Sequence, residues 1–592
     1  MTEQDANREP ETDVTTAWSA PPGDPVDQLT PAPAVGVERP RGTSGVRWAI
    51  ALLITVLVVG VAAAAFVLLA GQTAPSKLVG YAPSDAVVYG EVRLDLPGDQ
   101  RQKLGEFLSK FPGFADQSTL DAKLDEAFDK FIRGVSHDSQ DYTTKIKPWF
   151  GGELAFTVGK LPAPSSGGDA RALLIVSITD PAKAKAWFDA ISSDAPKTTD
   201  TYNGVDLILI GEGDKKAAVG VDAEVMLIGD EASVKAAIDS KGHGNLASSD
   251  AFKRSQAALS GDELGYIFLD GRAYTDWLST MAEASPGVGP AIDDATRHLI
   301  PQWFVARLQA RGDAIAFEAV APSLPTKVHR ENRVSKLAPH VPPSTIAILD
   351  AHDYGAALLE IIDTYRNNAA TKDAFKQVDQ AASLVGGFNA ILGWMEDAAV
   401  VVTRDGSSIH GGLAFTSNDR AAGERLLTTL RSFAVLAGGQ SGITVRDETY
   451  GDTTISIIDL GDLRDLAPKL GLATPPAEGH AEIAYASTAD LIVVGVGDTF
   501  VKSVLDTKPG SSLADDGRFK AMLGRVGDRN VSAAFVDLGA VRELVESVAS
   551  GQPGYGEYEN NVKPYVTPLD AWVQATVIDG DLDRSTGVVV AK

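Results

Sequence analysis

The sequence predicts an α+β protein: an internally duplicated exported region of mixed, mostly antiparallel sheets covered by amphipathic helices, behind one transmembrane helix. Three observations carry that reading. An uncharged apolar run, Trp48–Ala70, interrupts the chain with Thr55 as its one polar side chain. The residues beyond it repeat the same landmarks in the same order. Within each copy, short apolar runs alternate with segments of helical periodicity.

The apolar run comes first. Its 23 residues reach about 34 Å as a helix, enough to cross a hydrocarbon core of about 30 Å. Arg39, Arg41 and Arg47 precede it, and the nearest basic residue beyond it is Lys77. The cationic flank stays inside, so the N-terminus is expected in the cytoplasm and the C-terminal region outside. A cleaved signal peptide has a shorter apolar region, a shorter leader and a small-x-small cleavage site, and Leu68-Leu69-Ala70-Gly71-Gln72 offers no clear one. A helix packed on a globular core is apolar on one stripe rather than all round. The expected organisation is therefore a disordered cytoplasmic tail (1–47), a transmembrane helix (48–70), a first extracytoplasmic repeat (71–322), a linker (323–343) and a second repeat (344–592).

The tail carries six prolines before Arg39 and scattered acids, a composition that does not bury a core. Within it, Glu11-Thr12-Asp13-Val14-Thr15-Thr16-Ala17-Trp18 sets threonines beside acids, loosely like bacterial Ser/Thr kinase acceptors. Thr12, Thr15 and Thr16 are the phosphorylation candidates; an unmodified linker is the plainer alternative.

The duplication is visible as paired phrases. Ser76-Lys77-Leu78 returns as Ser335-Lys336-Leu337, Trp149 before a strand returns as Trp394, and Tyr202-Asn203-Gly204 returns as Tyr450-Gly451. Val234–Asp270 aligns with Val501–Asp537 without a gap, and ten of those 37 positions are identical. A repeat of this length means duplicated domains rather than a solenoid. Ala184, Trp187, Phe188 and Ile191 mark one helix face, with Asp180 as cap and Pro181 in the first turn. Gly423, Leu426, Leu427 and Leu430 repeat that face, with Asn418 as a candidate cap. Strands are predicted at Ala172–Ile178, Gly204–Ile210, Val225–Ile228 and Leu264–Leu269, and again at Leu413–Thr416, Thr453–Ile458, Leu491–Val494 and Val531–Val536. Each copy closes with two strands, the first pair joined through Arg311-Gly312-Asp313.

Composition narrows the function classes. The chain has no cysteine, which removes disulfides, thiolate metal sites and cysteine nucleophiles. The residues beyond the span carry 71 acids against 49 bases, so nucleic acid and anionic headgroups are disfavoured as partners. No P-loop, H-E-x-x-H helix or G-x-S-x-G elbow occurs. Asp579-Gly580-Asp581-Leu582-Asp583 begins like a calcium loop but lacks its later positions, and reads as a hairpin turn. The eight histidines show no metal-ligand spacing. Asp270 and Asp537 end mirrored strands, and Asp350 ends another, with Glu91 or Asp95 as its counterpart. Gathered at one sheet edge, these acids would be weak candidates for a Ca²⁺ or Mg²⁺ site; helix capping explains them locally. Trp149 and Trp394 fit core packing better than ligand stacking. No cofactor is expected.

Pro83-Ser84-Asp85-Ala86-Val87-Val88-Tyr89, Leu94-Asp95-Leu96-Pro97-Gly98-Asp99-Gln100, Lys110-Phe111-Pro112, Asp141-Tyr142 and Lys147-Pro148-Trp149-Phe150-Gly151-Gly152-Glu153 together resemble the actinobacterial family known as domain of unknown function 3352. The resemblance covers most of the exported part and implies a single-span envelope protein with an extracytoplasmic domain. It implies no activity and transfers no site residue. The expectation is a non-enzymatic, cell-membrane protein that binds or scaffolds an envelope protein or lipid partner. The alternatives are a carrier of a lipid or other apolar ligand, and a carboxylate-dependent hydrolase. A phosphatase reporter fused after Lys592 is expected to be active outside the membrane. Activity confined to the cytosol, or a mature chain beginning near Gln72, contradicts that topology.

Overall fold

The computed structural model describes residues 76–592 apart from 160–170, 194, 212–215, 285–296, 369–370, 442 and 467–478, all within a compact unit spanning Leu53–Lys592. The apolar run Trp48–Ala70 and the threonines Thr12, Thr15 and Thr16 lie outside the described residues. Among the described residues, no helix is long and apolar enough to cross a membrane.

The first half supplies ten strands: β1 (Val88–Arg93), β2 (Phe150–Val158), β3 (Ala172–Ile178), β4 (Lys197–Tyr202), β5 (Val205–Ile210), β6 (Ala217–Val221), β7 (Val225–Asp230), β8 (Gly265–Asp270), β9 (Trp303–Ala310) and β10 (Ala314–Pro322). The second half supplies β11 (Thr345–Ala351), β12 (Met395–Asp405), β13 (Ser408–Ser417), β14 (Thr444–Tyr450), β15 (Thr453–Asp462), β16 (His480–Ser487), β17 (Ile492–Val496), β18 (Ser532–Asp537), β19 (Leu569–Asp579) and β20 (Leu582–Ala591). The pairings place them side by side as β4-β5-β6-β7-β3-β2-β1-β8-β9-β10-β20-β19-β18-β11-β12-β13-β17-β16-β15-β14. Read outward from the middle, the two halves have the same order. Every one of these pairings is antiparallel, so the expected parallel admixture is absent among the described residues. Short turns join most sequence neighbours, and antiparallel pairing needs no long crossover.

The halves form one 20-stranded sheet. The seam is β10 against β20. Ala314 faces Val590 and Pro322 faces Leu582, so the seam reads alike from either strand, as a two-fold interface does. Its centre is Glu318 opposite Thr586. The hairpins feeding the seam turn at Gly312 and Gly580, both at positive φ (77° and 66°). Those two turns contain the Arg311-Gly312-Asp313 and Asp579-Gly580-Asp581 triplets, and Asp313 is paired with Arg525 at 2.7 Å.

Successive residues of a strand face opposite sides of a sheet. One side, here the inner face, carries the two main cores. Val401, Ala414, Val493 and Phe535 pack under Phe500, Val501 and Phe519 in the second half. Leu173, Ile175, Leu227 and Phe268 pack with Val234, Ala237 and Phe252 in the first. The closing strands cross the boundary. Ala314 and Ala316 of β10 belong to the second core, while Val320 belongs to the first. Leu582 of β20 packs against the first core, and Val588 and Val590 lie in the second.

Between these cores sits a buried ion cluster. Arg307 Nε donates to Glu318 at 2.6 Å, and Arg584 holds the other carboxylate oxygen. Arg584 also donates to the Ala258 carbonyl at 3.0 Å. The side chains of Arg307 and Glu318 are 3% and 7% exposed. Removing one member of a buried, hydrogen-bonded set leaves charge without compensation. Glu318→Ala is expected to cost about 3–5 kcal/mol in denaturant unfolding of the full chain; a loss below about 1 kcal/mol would show that the two arginines find other partners.

Candidate functional site

The identities that reveal the repeat in sequence meet in space. Tyr202 donates to Asp239 at 2.8 Å, and Tyr450 donates to Asp506 at 2.7 Å. Lys235 and Lys502 lie 5.2 and 5.5 Å from the centroids of those tyrosine rings. Phe252 meets Phe268 edge-on at 5.2 Å, as Phe519 meets Phe535 at 5.4 Å. These mirrored sets fasten helix to strand and hold no open chemistry. Trp149 and Trp394 are both buried; Trp149 stacks near Trp187 at 4.9 Å and Trp394 meets Phe415 at 5.4 Å.

The acids do not converge. Asp270 accepts from the Arg272 and Ala273 amides at 3.0 Å. Asp537 accepts from the Ala540 amide at 2.9 Å and pairs with Arg518. Both are helix caps. Asp350 lies opposite Ala533, so Asp537 is four residues along the same strand, about 13 Å away. Asp270 lies five strands across the seam, about 24 Å at normal strand spacing. Among the described residues, no cluster of three or more His, Asp or Glu side chains has metal-binding geometry.

Register identifies the true counterpart of Asp350. Glu91 pairs with Ala155 and Tyr266, and Asp350 pairs with Ala399 and Ala533. Tyr266 and Ala533 occupy the same place in the aligned block, so Glu91 is the match and Asp95 is not. Glu91 is almost completely buried. Burial pushes its carboxyl up to about 7, although hydrogen bonds from Tyr89 (2.5 Å) and Ser76 oppose that. Beside it, burial alone would lower Arg93, but Asp95 and Glu153 hold the guanidinium above its ordinary value. Burial also raises Glu153, against the pull of Arg93. In the second half the arginine comes from elsewhere: Arg333, ahead of β11, grips Asp397 with two hydrogen bonds. Burial would raise Asp397, yet Arg333 holds it below the usual carboxylate range. Asp350 and His352 are buried and 3.7 Å apart, and Asp350 Oδ1 and both His352 ring nitrogens lack a hydrogen bond. At 2% and 4% exposure, Glu91 and Asp350 do not meet solvent.

What separates the halves is the other, outer face of the sheet. Eighteen of the twenty-two exposed large apolar side chains among the described residues lie between Leu349 and Tyr565. The middle of this surface is a straight row. Leu349 faces Val400, Val400 faces Leu413 and Leu413 faces Val494. The first three are 53%, 48% and 39% exposed. In the first half the same positions are Gly90, Phe156, Leu174 and Ile228. There the Phe156 ring lies across Gly90, leaving no room even for a Cβ, and Leu174 and Ile228 are buried.

The row is flanked by a wall at either end of strand β12. Helix Tyr354–Asn367 starts against Met395, where a Cβ on Gly355 would meet the Met395 carbonyl. It leaves Ile361 and Tyr365 exposed. At the other end Arg404 reaches helix Leu538–Ala549, pairing with Glu543 at 2.9 Å. A polar cleft of about 430 Å³ opens there, lined by Ser344, Thr345, Arg404, Asp537 and Glu543. Beside the row, Leu426 and Leu427 of helix Arg420–Ser441 cover Ala398, Phe415 and Ile492. That helix is capped by Asp419, whose carboxylate accepts from the Ala422 amide, rather than by Asn418. The arrangement is an open apolar trough with a sheet floor. Large exposed apolar surface of this kind marks a site of interaction. Sequence reasoning missed it, because nothing local in Ala398-Ala399-Val400-Val401-Val402 tells which face of the strand a helix leaves uncovered.

A family model described as protein of unknown function (DUF3352) matches residues 49–569. No curated protein matches the chain. Among solved structures, crystal form I of TP0453 aligns over 43% of this chain and 82% of that one, at 12% identity and a TM-score of 0.22. Crystal form III of TP0453 gives 43% and 84%, at 12% identity and a TM-score of 0.21. Likeness so slight carries no argument here.

Glu91 gives this region a pH signature. Below about 4.5 the carboxyl is neutral in both folded and unfolded chains. Between there and about 7 the folded chain keeps a proton that the unfolded chain has lost, so its contribution to stability falls as pH rises. Relative to Glu91→Gln, the parent chain should lose up to roughly 3 kcal/mol between pH 4.5 and 8. Parallel stability curves for the two proteins would place Glu91 in a wetter setting.

Proposed function

The chain belongs to the family described as protein of unknown function, DUF3352, and on that premise we propose a membrane-anchored envelope protein that acts by binding, not by chemistry. In this reading the first repeat is the closed structural copy and the second carries the working surface. The observation that supports it most is the row Leu349–Val400–Leu413: three directly paired apolar side chains left open where the first half is filled. Exposing such a row to water costs about 25 cal/mol for each Å² of apolar surface, and an apolar partner recovers that cost. The repeated strand order supports reading the chain as a duplication whose copies have since diverged in their covering helices.

Two further features support binding over hydrolysis. A glycosidase-type pair needs two carboxylates in a cleft open to substrate. The mirrored acids Glu91 and Asp350 are sealed within the sheet, Asp270 is engaged as a cap, and the two acids of the polar cleft, Asp537 and Glu543, are each held by an arginine, Arg518 and Arg404. The trough also offers few polar groups to orient a reacting bond. It suits an apolar surface or chain laid along it.

Because the chain has no native cysteine, single cysteines report occupancy cleanly. Val400→Cys in the full chain should be protected from a membrane-impermeant maleimide in spheroplasts and become reactive once the protein is purified and stripped of bound molecules. Lys508→Cys, on an exposed turn, should react in both settings. Equal, ready labelling of Val400→Cys in both settings would mean that nothing occupies the trough. Failure of Lys508→Cys to react in spheroplasts would remove the extracytoplasmic placement itself.

A further inference from the structure

We propose that the occupant of the trough is an acyl chain of a lipid drawn from the membrane that anchors the protein, admitted past the overhanging end of helix Arg420–Ser441. This deepens the binding reading above and rests on it.

The helix itself is the first argument. Its counterpart in the first half, Pro181–Ile191, has 11 residues, whereas Arg420–Ser441 has 22. The extra length is about 17 Å. Its first turns seal the outer face through Leu426 and Leu427. Further along, the helix leaves Leu430, Phe433, Val435 and Leu436 exposed, Leu436 at 78%. From Ser432 to Ser441 the helix carries no charged residue. A solvated overhang normally bears charge on its free face. An uncharged half-helix that leaves Phe433, Val435 and Leu436 exposed is a surface that an apolar phase would cover. Leu384, 73% exposed, adds a second apolar projection just ahead of Val385, which packs into the same cluster as Leu426 and Leu427.

The open part of the row runs from Leu349 through Val400 to Leu413, about 10 Å at normal strand spacing. Beyond it Val494 and Tyr485 pack against the cluster that holds Leu426 and Leu427. The open part therefore takes one stretch of an acyl chain, with the covered end of the row as its stop.

The tether supplies the occupant. Five residues separate the expected span, ending at Ala70, from Ser76, where the described fold begins. That length of chain reaches at most about 18 Å, which keeps the body beside the outer leaflet. Lipid is then the apolar phase always within reach. The acid excess of the exported part disfavours anionic headgroups, so a neutral or zwitterionic lipid is the matching class.

The test uses the full chain in nanodiscs of phosphatidylcholine with a fraction carrying a diazirine in the acyl chain. After photolysis, the labelled peptides are mapped by mass spectrometry. Labelling is expected in two places: the Trp48–Ala70 run, and the trough peptides bearing Leu349, Val400 and Leu413. The double substitution Phe433→Asp with Leu436→Asp, at two exposed positions, should cut trough labelling at least fivefold while leaving the run's labelling and the melting curve unchanged. A labelled run with a bare trough overturns the lipid occupant and leaves the anchor. If Val400→Cys is nonetheless protected in spheroplasts, the trough binds something other than lipid. A bare run overturns both the anchor and this proposal. Trough labelling that persists undiminished in the double variant overturns the entry route.

Discussion

The structure depends on one seam. β10 and β20 pair antiparallel around Glu318 and Thr586, and without that pairing each half would end in an open edge. An exposed edge strand is a template for unwanted association. Here each half covers the other's edge, and the arrangement goes beyond backbone pairing. Ala314 and Ala316 complete the core of the second half, and Leu582 packs on the core of the first. Glu318, between two arginines, occupies the point where the cores would otherwise merge. A buried ion cluster gives little net stability against an apolar alternative. Its effect here is on registration, because a slip of one residue along the seam would carry Arg584 to the opposite face and leave Glu318 with Arg307 alone.

The outer edges of the sheet are handled differently. β4 and β14 are the terminal strands, and both are rich in polar and charged side chains, as in Asp200, Arg446, Asp447 and Glu448. That composition blunts pairing with other chains. The scaffold is thus closed at the centre by self-pairing and protected at its ends by charge. What remains free to differ between the halves is the layer of helices over the outer face. In the first half that layer buries Leu174 and Ile228, and Phe156 fills the space over Gly90. In the second half, the equivalent row stays open and one covering helix is twice as long as its counterpart.

Much of this was legible in the sequence, and the parts that were not share a cause. Helix Pro181–Ile191, its Asp180 cap and its Pro181 first turn follow from local rules, and the structure has them. The mirrored Tyr202/Tyr450, Lys235/Lys502 and Asp239/Asp506 prove to be neighbours, because residues kept together in sequence duplicates were already in contact. Strands β4 and β14 went unread: an edge strand buries neither face fully, so its sequence carries no apolar alternation. The seam was invisible because β10 and β20 each look like the second arm of a hairpin, and nothing local says which strand lies on the far side. The candidate site was hidden for a similar reason. Leu349 and Val400 look like core residues, and only the length and placement of distant helices decide that they are not. The mirrored acids drew attention for a chemical reason, yet register sets Asp270, Asp350 and Asp537 too far apart to share an ion.

The single sheet is most directly tested by hydrogen exchange of the full chain, read strand by strand. The account predicts that amides of β10 and β20 exchange with the slowest class, alongside β1 and β11, because opening the seam exposes both cores at once. Fast exchange of β10 and β20, with β1 and β11 still protected, would show two independent sheets that merely touch, and would contradict the account.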